Sequence, residues 1–221
     1  MQVKIDLHVH SNFSYDSLIT PREISFYAKK HGLSGVAVTD HDRLDGALEI
    51  AKHAEILIIP GMEISSLNGH IIGLNVQESI PSKRDADETV DRIHEAGGIA
   101  VACHPMVWSK QSLGRHMSSR FDAVEVVNAS AIPFRRSVKL AHELALALGI
   151  AEVGGTDAHY GPEIGCGFTI VNAELKVDDI IKAIAEKRSQ PCGNAIPLIL
   201  RLKRELLVLN RKIAFTKKRN G

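Results

Sequence analysis

Short apolar runs rich in β-branched residues alternate with amphipathic helical stretches along most of this chain. Val3–Leu7, Gly35–Thr39 and Ile99–Cys103 have strand character, and the stretch from Thr20 begins with the threonine, proline and glutamate typical of a helix start. Alternation at this spacing predicts βαβ units and a parallel sheet. The length of 221 residues suits one α/β domain, built as an open doubly wound sheet or as a closed barrel.

The remaining predicted elements follow the same rhythm. Further strands are predicted at Ile56–Ile59, where Pro60-Gly61 is expected to break the run, and at His70–Val76, Ala123–Val127, Ala151–Gly154 and Phe168–Val171. Helices are predicted from Pro21 to about His31 and over Leu44–Ala54, Asp85–Ala96, Phe134–Leu148 and Val177–Lys187.

Composition and charge exclude several classes of protein. A formal net charge of +1 argues against a body built mainly to coat nucleic acid. The N-terminal residues show no signal-peptide pattern, and no apolar run reaches the length of a transmembrane segment. The three cysteines form no CxxC pair, so we expect a cytoplasmic protein with reduced thiols, Cys103 being a buried and inert one.

Histidines and polar side chains recur at or just past the C-terminal ends of the predicted strands. They are His8, Asp40-His41, Glu63, His104, Asn128, Asp157 and His159. Residues gathered on one face from many different strands are typical of a barrel active site, whereas an open sheet concentrates them near one switch point. The pattern therefore favours the barrel.

The types of these residues indicate a metal site. His8 and His10 lie one residue apart on a strand, so their imidazoles share a face and can hold one cation. Glu63 follows a Pro-Gly turn, where its carboxylate could bridge two cations. Imidazole nitrogen mixed with carboxylate oxygen suits zinc, manganese or iron. Each residue alone has an ordinary structural explanation, but their joint position at strand ends favours metal binding.

The chain resembles the polymerase-and-histidinol-phosphatase (PHP) family in a series of motifs that run in the family's order from about residue 1 to 165. These motifs are Asp6-Leu7-His8-Val9-His10-Ser11, Asp16, Thr39-Asp40-His41-Asp42, Gly61-Met62-Glu63-Ile64, His70, His104-Pro105 and Gly155-Thr156-Asp157-Ala158-His159. The resemblance implies a distorted (β/α)7 TIM-like barrel over residues 1–194. An additional C-terminal helix and tail would occupy residues 195–221.

The resemblance also implies two or three divalent metal ions (manganese, zinc or iron). Carried over position by position, the ligands would be His8, His10, Glu63 and Asp157 for the first ion, Glu63, His70 and His104 for the second, and Asp16, His41 and His159 for the third. Glu63 would act as the bridging residue of the catalytic centre. Asp157 or His159 would protonate the leaving oxygen if only loosely coordinated.

Three further residues are candidates for binding substrate. Asn128 follows a strand at the expected mouth of the barrel and could hydrogen-bond a substrate. Arg135 and Arg136 start the next helix, where they could clamp a phosphate, although a solvated basic pair is an equal reading. Lys110 and Arg115, in the loop after His104, are weaker candidates of the same kind.

We therefore predict a metal-dependent hydrolase acting on phosphoric esters. A nucleotide or a short single-stranded oligonucleotide is the first expected substrate, and another small phosphorylated metabolite, histidinol phosphate above all, is the second. An amidohydrolase is a different class with related barrels, but its usual bridging lysine at a strand end has no candidate here. A non-catalytic, metal-loaded module that binds nucleic acid is the third alternative.

The C-terminal stretch changes in composition. Apolar residues recur at helical spacing through Leu202, Leu206, Leu209 and Ile213, interleaved with basic residues that continue to Lys217-Lys218-Arg219. Such a helix could contact nucleic acid, an anionic membrane surface or a partner helix. Alternatively, its leucines pack on the barrel or on a second subunit, which would make the protein a homo-oligomer.

Overall fold

The structure, a computed structural model, describes the backbone of residues 1–219 and the side chains of residues 1–210. The predicted side-chain roles of Ile213 and of 217–219 lie outside these described residues. Nine strands form one sheet: β1 (Gln2–Val9), β2 (Gly35–Val38), β3 (Leu57–Ser65), β4 (His70–Leu74), β5 (Ile99–Ala102), β6 (Ala123–Asn128), β7 (Ala151–Gly155), β8 (Gly167–Asn172) and β9 (Ser189–Gly193). Six α-helices accompany them: α1 (Pro21–Lys30), α2 (Asp45–His53), α3 (Ala86–Glu95), α4 (Phe134–Leu148), α5 (Val177–Ala185) and α6 (Leu198–Arg219).

The sheet has the strand order β7-β6-β5-β4-β3-β2-β1-β8-β9 and curls into a nearly closed barrel. Across the closure, the Thr169 hydroxyl of β8 donates to the Gly154 carbonyl and accepts from the Gly154 N–H of β7, both at 2.8 Å. The Ser189 hydroxyl of β9 likewise donates to the Glu152 carbonyl of β7 at 2.8 Å. The predicted α/β barrel architecture with an additional C-terminal helix is confirmed.

The prediction of a parallel sheet is wrong for two strands, β4 and β8. β1-β2-β3 and β5-β6-β7 are parallel, but β4 runs antiparallel to both of its neighbours, and β8 runs antiparallel to both β1 and β9. β3 and β4 are joined by the short turn 66–69, which only an antiparallel pair can use. β9 went unpredicted because its sequence, Ser-Gln-Pro-Cys-Gly, lacks the β-branched residues of a strand.

The predicted break at Pro60-Gly61 is wrong, because β3 runs through both residues. They mark instead the point where the strand changes partner. Residues up to Pro60 pair with β2, and residues from Gly61 onward pair with β4. A Cβ at Gly61 would lie 2.8 Å from the Gly73 carbonyl oxygen, so the close approach of β4 requires a glycine. Proline suits this position because it cannot donate a ladder hydrogen bond.

Two apolar layers hold the barrel together. One buries residues of α1, α2 and α3, such as Ile24, Ile50 and Ile93, against the outside of the sheet. The other draws residues from most strands into the interior and reaches Ile184 of α5. Between them, β1 carries a one-residue bulge after Asp6. Bulges often lie near functional sites, and this one lies between Asp6 and Val9, beside His8.

Within the part of the chain that the structure describes, every helix is too short or too polar to span a membrane.

Candidate metal centre

Nine imidazole and carboxylate side chains meet at one end of the barrel. They are the residues predicted to bind metal: His8, His10, Asp16, His41, Glu63, His70, His104, Asp157 and His159. Most follow the C-terminal ends of parallel strands, as predicted. His70 instead begins β4, but β4 is antiparallel and His70 pairs with Ser65 near the end of β3. The reversed strand therefore brings its first residue to the same end of the barrel.

The first group consists of His8, His10, Glu63 and Asp157. The Nε2 atoms of His8 and His10 lie 3.1 Å apart, and they lie 3.2 Å and 3.1 Å from Glu63 Oε2. Asp157 Oδ1 completes the group at 3.5 Å and 3.4 Å from the same two nitrogens. Ligand atoms about 2.1 Å from a tetrahedral ion are about 3.4 Å apart, so the spacing of these four atoms suits one cation.

The second group forms around the other oxygen of the same glutamate. Glu63 Oε1 lies 2.6 Å from His70 Nδ1 and 3.1 Å from His104 Nε2. The buried Cys103 thiol donates to this oxygen at 3.5 Å, and burial raises its pKa well above the ordinary value. Glu63 thus presents one carboxylate oxygen to each of two groups of imidazoles, which is the arrangement of a bridging ligand.

The third group lies nearer the surface. Asp16 Oδ2 is 3.2 Å from His41 Nε2 and 3.1 Å from His159 Nε2, and His10 lies close enough to share the group. Asp16 is on a loop, where its other oxygen accepts from the Ser14 hydroxyl at 2.8 Å. The loop carboxylate therefore lies beside the two histidines with which the family resemblance groups it.

The chemistry of these donors fits divalent cations. Two imidazole nitrogens at 3.1 Å from one another, both beside Glu63 Oε2, need a proton or a cation between them. Nδ1 of His10, His41 and His104 is buried with no hydrogen-bond partner among the described residues. Buried polar atoms normally have partners, so a polar network incomplete in this way is expected where an ion completes it.

The charges of the cluster point the same way. Although burial opposes it, the His8 charge and hydrogen bonds from His10, His104 and His70 hold the pKa of Glu63 well below its ordinary value. Burial also opposes ionisation of Asp157, yet the charges and hydrogen bonds of nearby histidines lower its pKa. Conversely, Glu125, Asp157 and Glu63 raise the pKa of His8 against burial. Ionised carboxylates beside imidazoles that can exchange protons for metal are what a cation site requires.

Glu125 of β6 is the residue that sequence reasoning missed. It is 3% exposed, and its carboxylate accepts from His8 Nδ1 at 3.0 Å, the His104 N–H at 2.8 Å and the Asn128 amide at 2.9 Å. A carboxylate that orients a ligating histidine is a usual second partner in metal sites. One feature of the sequence could have identified Glu125, namely that it is an acid inside the apolar run Val124-Glu125-Val126-Val127.

Two further buried carboxylates belong to the quoted motifs but serve the backbone. Asp6 accepts from the Thr156 N–H at 2.8 Å and the Gly165 N–H at 2.9 Å, and burial raises its pKa to about 6. Asp40 accepts from the Ser11 N–H at 2.6 Å. Both therefore hold the loops on which the candidate ligands are placed.

The candidate substrate residues divide into two kinds. Asn128 is buried and its amide donates to Glu125, but its Oδ1 has no hydrogen-bond partner among the described residues. Arg135 and Arg136 lie in the first turn of α4 and are exposed. Lys110 and Arg115, in the loop after β5, are exposed as well. Sequence reasoning also passed over Tyr15, which is 83% exposed and stacks on His41 with ring centroids 5.3 Å apart.

Comparison with known proteins is consistent across sequence and structure. The family model described as the PHP domain matches residues 6–164, a range that contains all nine clustered residues. An uncharacterized protein of Methanocaldococcus jannaschii is 38% identical over 58% of this chain and 82% of its own length. A 5'-3' exoribonuclease of Haemophilus influenzae is 33% identical over 44% of this chain and 42% of its own length. A two-domain protein of Bacteroides vulgatus containing a predicted PHP-like metal-dependent phosphoesterase superposes with a TM-score of 0.73 at 20% identity, over 88% of this chain and 65% of that one.

Proposed function

The chain belongs to the PHP domain family, and on that premise we propose that it is a metal-dependent hydrolase that cleaves phosphoric esters of nucleotides or short single-stranded oligonucleotides. The observation that carries this proposal is the position of Glu63. Its two oxygens lie 3.2 Å and 2.6 Å from imidazoles of two different groups, His8 and His70. A carboxylate shared in this way suits adjacent cations and therefore the chemistry of two-metal phosphoesterases.

We assign the three groups of side chains to two or three divalent ions, of manganese, zinc or iron. The first ion would be held by His8, His10, Glu63 and Asp157. The second would be held by Glu63, His70 and His104, and the third by Asp16, His41 and His159. Bound cations would lower the pKa of water and offset the charge that develops on the phosphoryl oxygens.

Asp157 and His159 could each protonate the leaving oxygen, and we propose His159 for this role. Burial disfavours the charged form of His159, but the Asp16 hydrogen bond and nearby carboxylates nevertheless raise its pKa above the ordinary value. The charges and hydrogen bonds of nearby histidines instead lower the pKa of Asp157. His159 would transfer the proton only where it is loosely coordinated, because the same side chain is a candidate ligand of the third ion.

The rim of the site supports a nucleotide substrate. Tyr15 offers an exposed aromatic face beside His41, and bases stack on such faces. The exposed guanidinium groups of Arg135 and Arg136 are suited to contacting phosphate oxygens. The similarity to the exoribonuclease, although it covers less than half of either protein, favours the same substrate class.

A phosphate-release screen tests the proposal. Metal-stripped protein would be supplied with manganese, zinc or iron and offered 5'-phosphorylated oligoribonucleotides, nucleoside mono- and bisphosphates, histidinol phosphate and an amide panel. We expect phosphate release from the nucleotides, at a rate that Glu63→Ala and His10→Ala each reduce by at least about 10²-fold. Glu49→Ala, an exposed glutamate on α2, is the matched control and should keep wild-type turnover. Near-native turnover by Glu63→Ala, or amide hydrolysis without phosphate release, would contradict the proposal.

We also propose that α6 pairs with α6 of a second copy of the chain. Ile199, Leu202, Leu206 and Leu209 repeat at alternating spacings of three and four residues, and they are 59%, 52%, 60% and 53% exposed. These four apolar side chains therefore do not pack on the barrel. The spacing is that of the a and d positions of a coiled coil, which a second α6 would cover symmetrically.

We also propose that the protein is cytoplasmic. Cys103, Cys166 and Cys192 are all free thiols. Free thiols suit the reducing compartment that the sequence predicts.

A further inference from the structure

The C-terminal helix contacts the barrel through two arginines. Arg201 and Arg204 lie on the side of α6 opposite the exposed leucines, and both are partly buried. Arg204 is 18% exposed, and its Nη1 lies 3.2 Å and 3.3 Å from the two carboxylate oxygens of Glu163. We call Arg201 and Arg204 the arginine clamp.

Glu163 connects this clamp to the metal centre. Its side chain is fully buried, and its Oε2 accepts from the backbone N–H groups of His159 at 3.1 Å and Tyr160 at 3.2 Å. His159 belongs to the third group of candidate ligands, where its Nε2 lies 3.1 Å from Asp16. One carboxylate thus holds the backbone of a candidate ligand on one side and an α6 arginine on the other.

Arg201 makes a parallel contact with the neighbouring loop. Its guanidinium donates to the carbonyls of Ala129 at 2.9 Å, Ser130 at 3.0 Å and Ile196 at 3.1 Å. Ala129 directly follows Asn128, at the end of β6. The clamp therefore reaches the two loops that follow β6 and β7, and the second of these carries Asp157 and His159.

The ion pair matters because Glu163 is buried. Within the described residues, Arg204 is the only cationic side chain paired with it. Removing one partner of a buried ion pair leaves an uncompensated charge, which must move, become protonated or admit water. Movement of the carboxylate would release the N–H groups of His159 and Tyr160, and its protonation or hydration would weaken their hydrogen bonds to Oε2. In either case the His159 imidazole is held less firmly in its position.

We propose that Arg204 is a positioning residue for the metal centre: through Glu163 it fixes the backbone of His159, so that the third ion site depends on α6. The proposal rests on the metal assignment made above. It also means that residues 195–221 are not a separable appendage, because one turn of their helix supports the barrel's active end.

The test measures metal binding rather than turnover. Chelator-stripped full-length protein is titrated with Mn²⁺ and followed by electron paramagnetic resonance, which counts ions and reports their affinities. We expect Arg204→Ala and Glu163→Gln to weaken one ion about tenfold, the lower end of the range for outer partners of a metal site, while the other ions bind as in the wild type. The ion affected should be the one that His159→Ala also weakens. Arg204→Lys should recover part of the loss. Lys203→Ala, an exposed neighbour on α6, should have no effect.

A double variant shows whether Arg204 acts through His159. If it does, Arg204→Ala should add nothing to the loss caused by His159→Ala, because residues acting on one another are not additive. Additive losses, or wild-type binding in both Arg204→Ala and Glu163→Gln with only a lower melting temperature, would overturn the proposal. A wild type that binds none of Mn²⁺, zinc and iron would overturn this inference and the proposed function together. Full Mn²⁺ binding without phosphate release would overturn the function alone.

Discussion

Glu125→Gln tests whether the carboxylate beneath His8 builds the metal centre. Three donors face Glu125: His8 Nδ1, the His104 N–H and the Asn128 amide. A glutamine has the same shape, but it offers one acceptor oxygen and one NH₂ donor in place of two acceptor oxygens. At least one of the three donors must then face another donor inside a buried site. The variant also loses the negative charge that holds the His8 tautomer and raises its basicity.

The size of the effect follows from the His8 contact. A hydrogen bond to a charged group contributes about 1.5–3 kcal/mol, and each 1.36 kcal/mol corresponds to a factor of ten in an equilibrium constant. Loss of the His8–Glu125 bond at 3.0 Å should therefore weaken the ion held by His8 by about 10- to 150-fold. Ions held without His8 should be affected much less.

The assay is a Mn²⁺ titration of chelator-stripped protein, with Glu152→Gln as the matched control. Glu152 also pairs with a histidine, since its Oε1 lies 2.8 Å from His142 Nδ1, but His142 is half exposed and belongs to no candidate metal group. The control should bind Mn²⁺ as the wild type does. Wild-type affinity in Glu125→Gln, or an equal loss in both variants, would refute the assignment of Glu125 to the centre.

Two other predictions concern protons and self-association. In chelated protein, His8, His104 and His159 have pKa values raised above 6.5, so the stability they contribute is fully present below pH 6.5 and is lost as pH rises through the raised values. The melting temperature of the chelated protein should therefore fall as the pH rises above 6.5, whereas Mn²⁺, which binds better as protons leave, should offset the fall. A flat profile in chelator would contradict this. Leu206→Glu should convert a dimer to a monomer in light scattering while Lys203→Ala does not, and a monomeric wild type at micromolar concentration would contradict pairing through α6.

The positions of the candidate ligands could be predicted because they depend on local rules. A polar residue after a buried strand lies at the strand's end whatever the rest of the fold does, and parallel strands align those ends. The direction of β4 could not be predicted in the same way. It depends on the partner change at Pro60-Gly61, and the sequence there is equally consistent with a break. His70 nevertheless reaches the centre, because reversing the strand exchanges which of its ends lies there.

Glu125 shows why the supporting residues were harder to identify. It lies inside β6 rather than after it, so the rule that identified His104 and Asp157 does not select it. Its side chain reaches the centre by ordinary alternation, since Ala123 lies in the interior cluster and Val124 packs with α4. Because β6 is buried on both faces, its sequence does not show which face is the inner one, whereas a buried acid in an apolar strand does require a partner. The need for a partner shows that Glu125 takes part in a buried polar network, but it does not show which atoms Glu125 contacts.

The C-terminal helix shows the limit of amphipathic patterns. The spacing of its leucines correctly identifies one apolar face, and a search for burial would place that face on the barrel. The structure places Arg201 and Arg204 there instead, because the barrel offers them backbone carbonyls and the buried carboxylate of Glu163. Guanidinium groups satisfied in this way need not be exposed to water, so they can occupy the inner face and leave Leu202 and Leu206 outside. On the proposals made above, α6 supports the third ion site with its arginines and turns its apolar face toward a second copy of the chain. Assembly of the protein and the integrity of that site would then depend on the same helix.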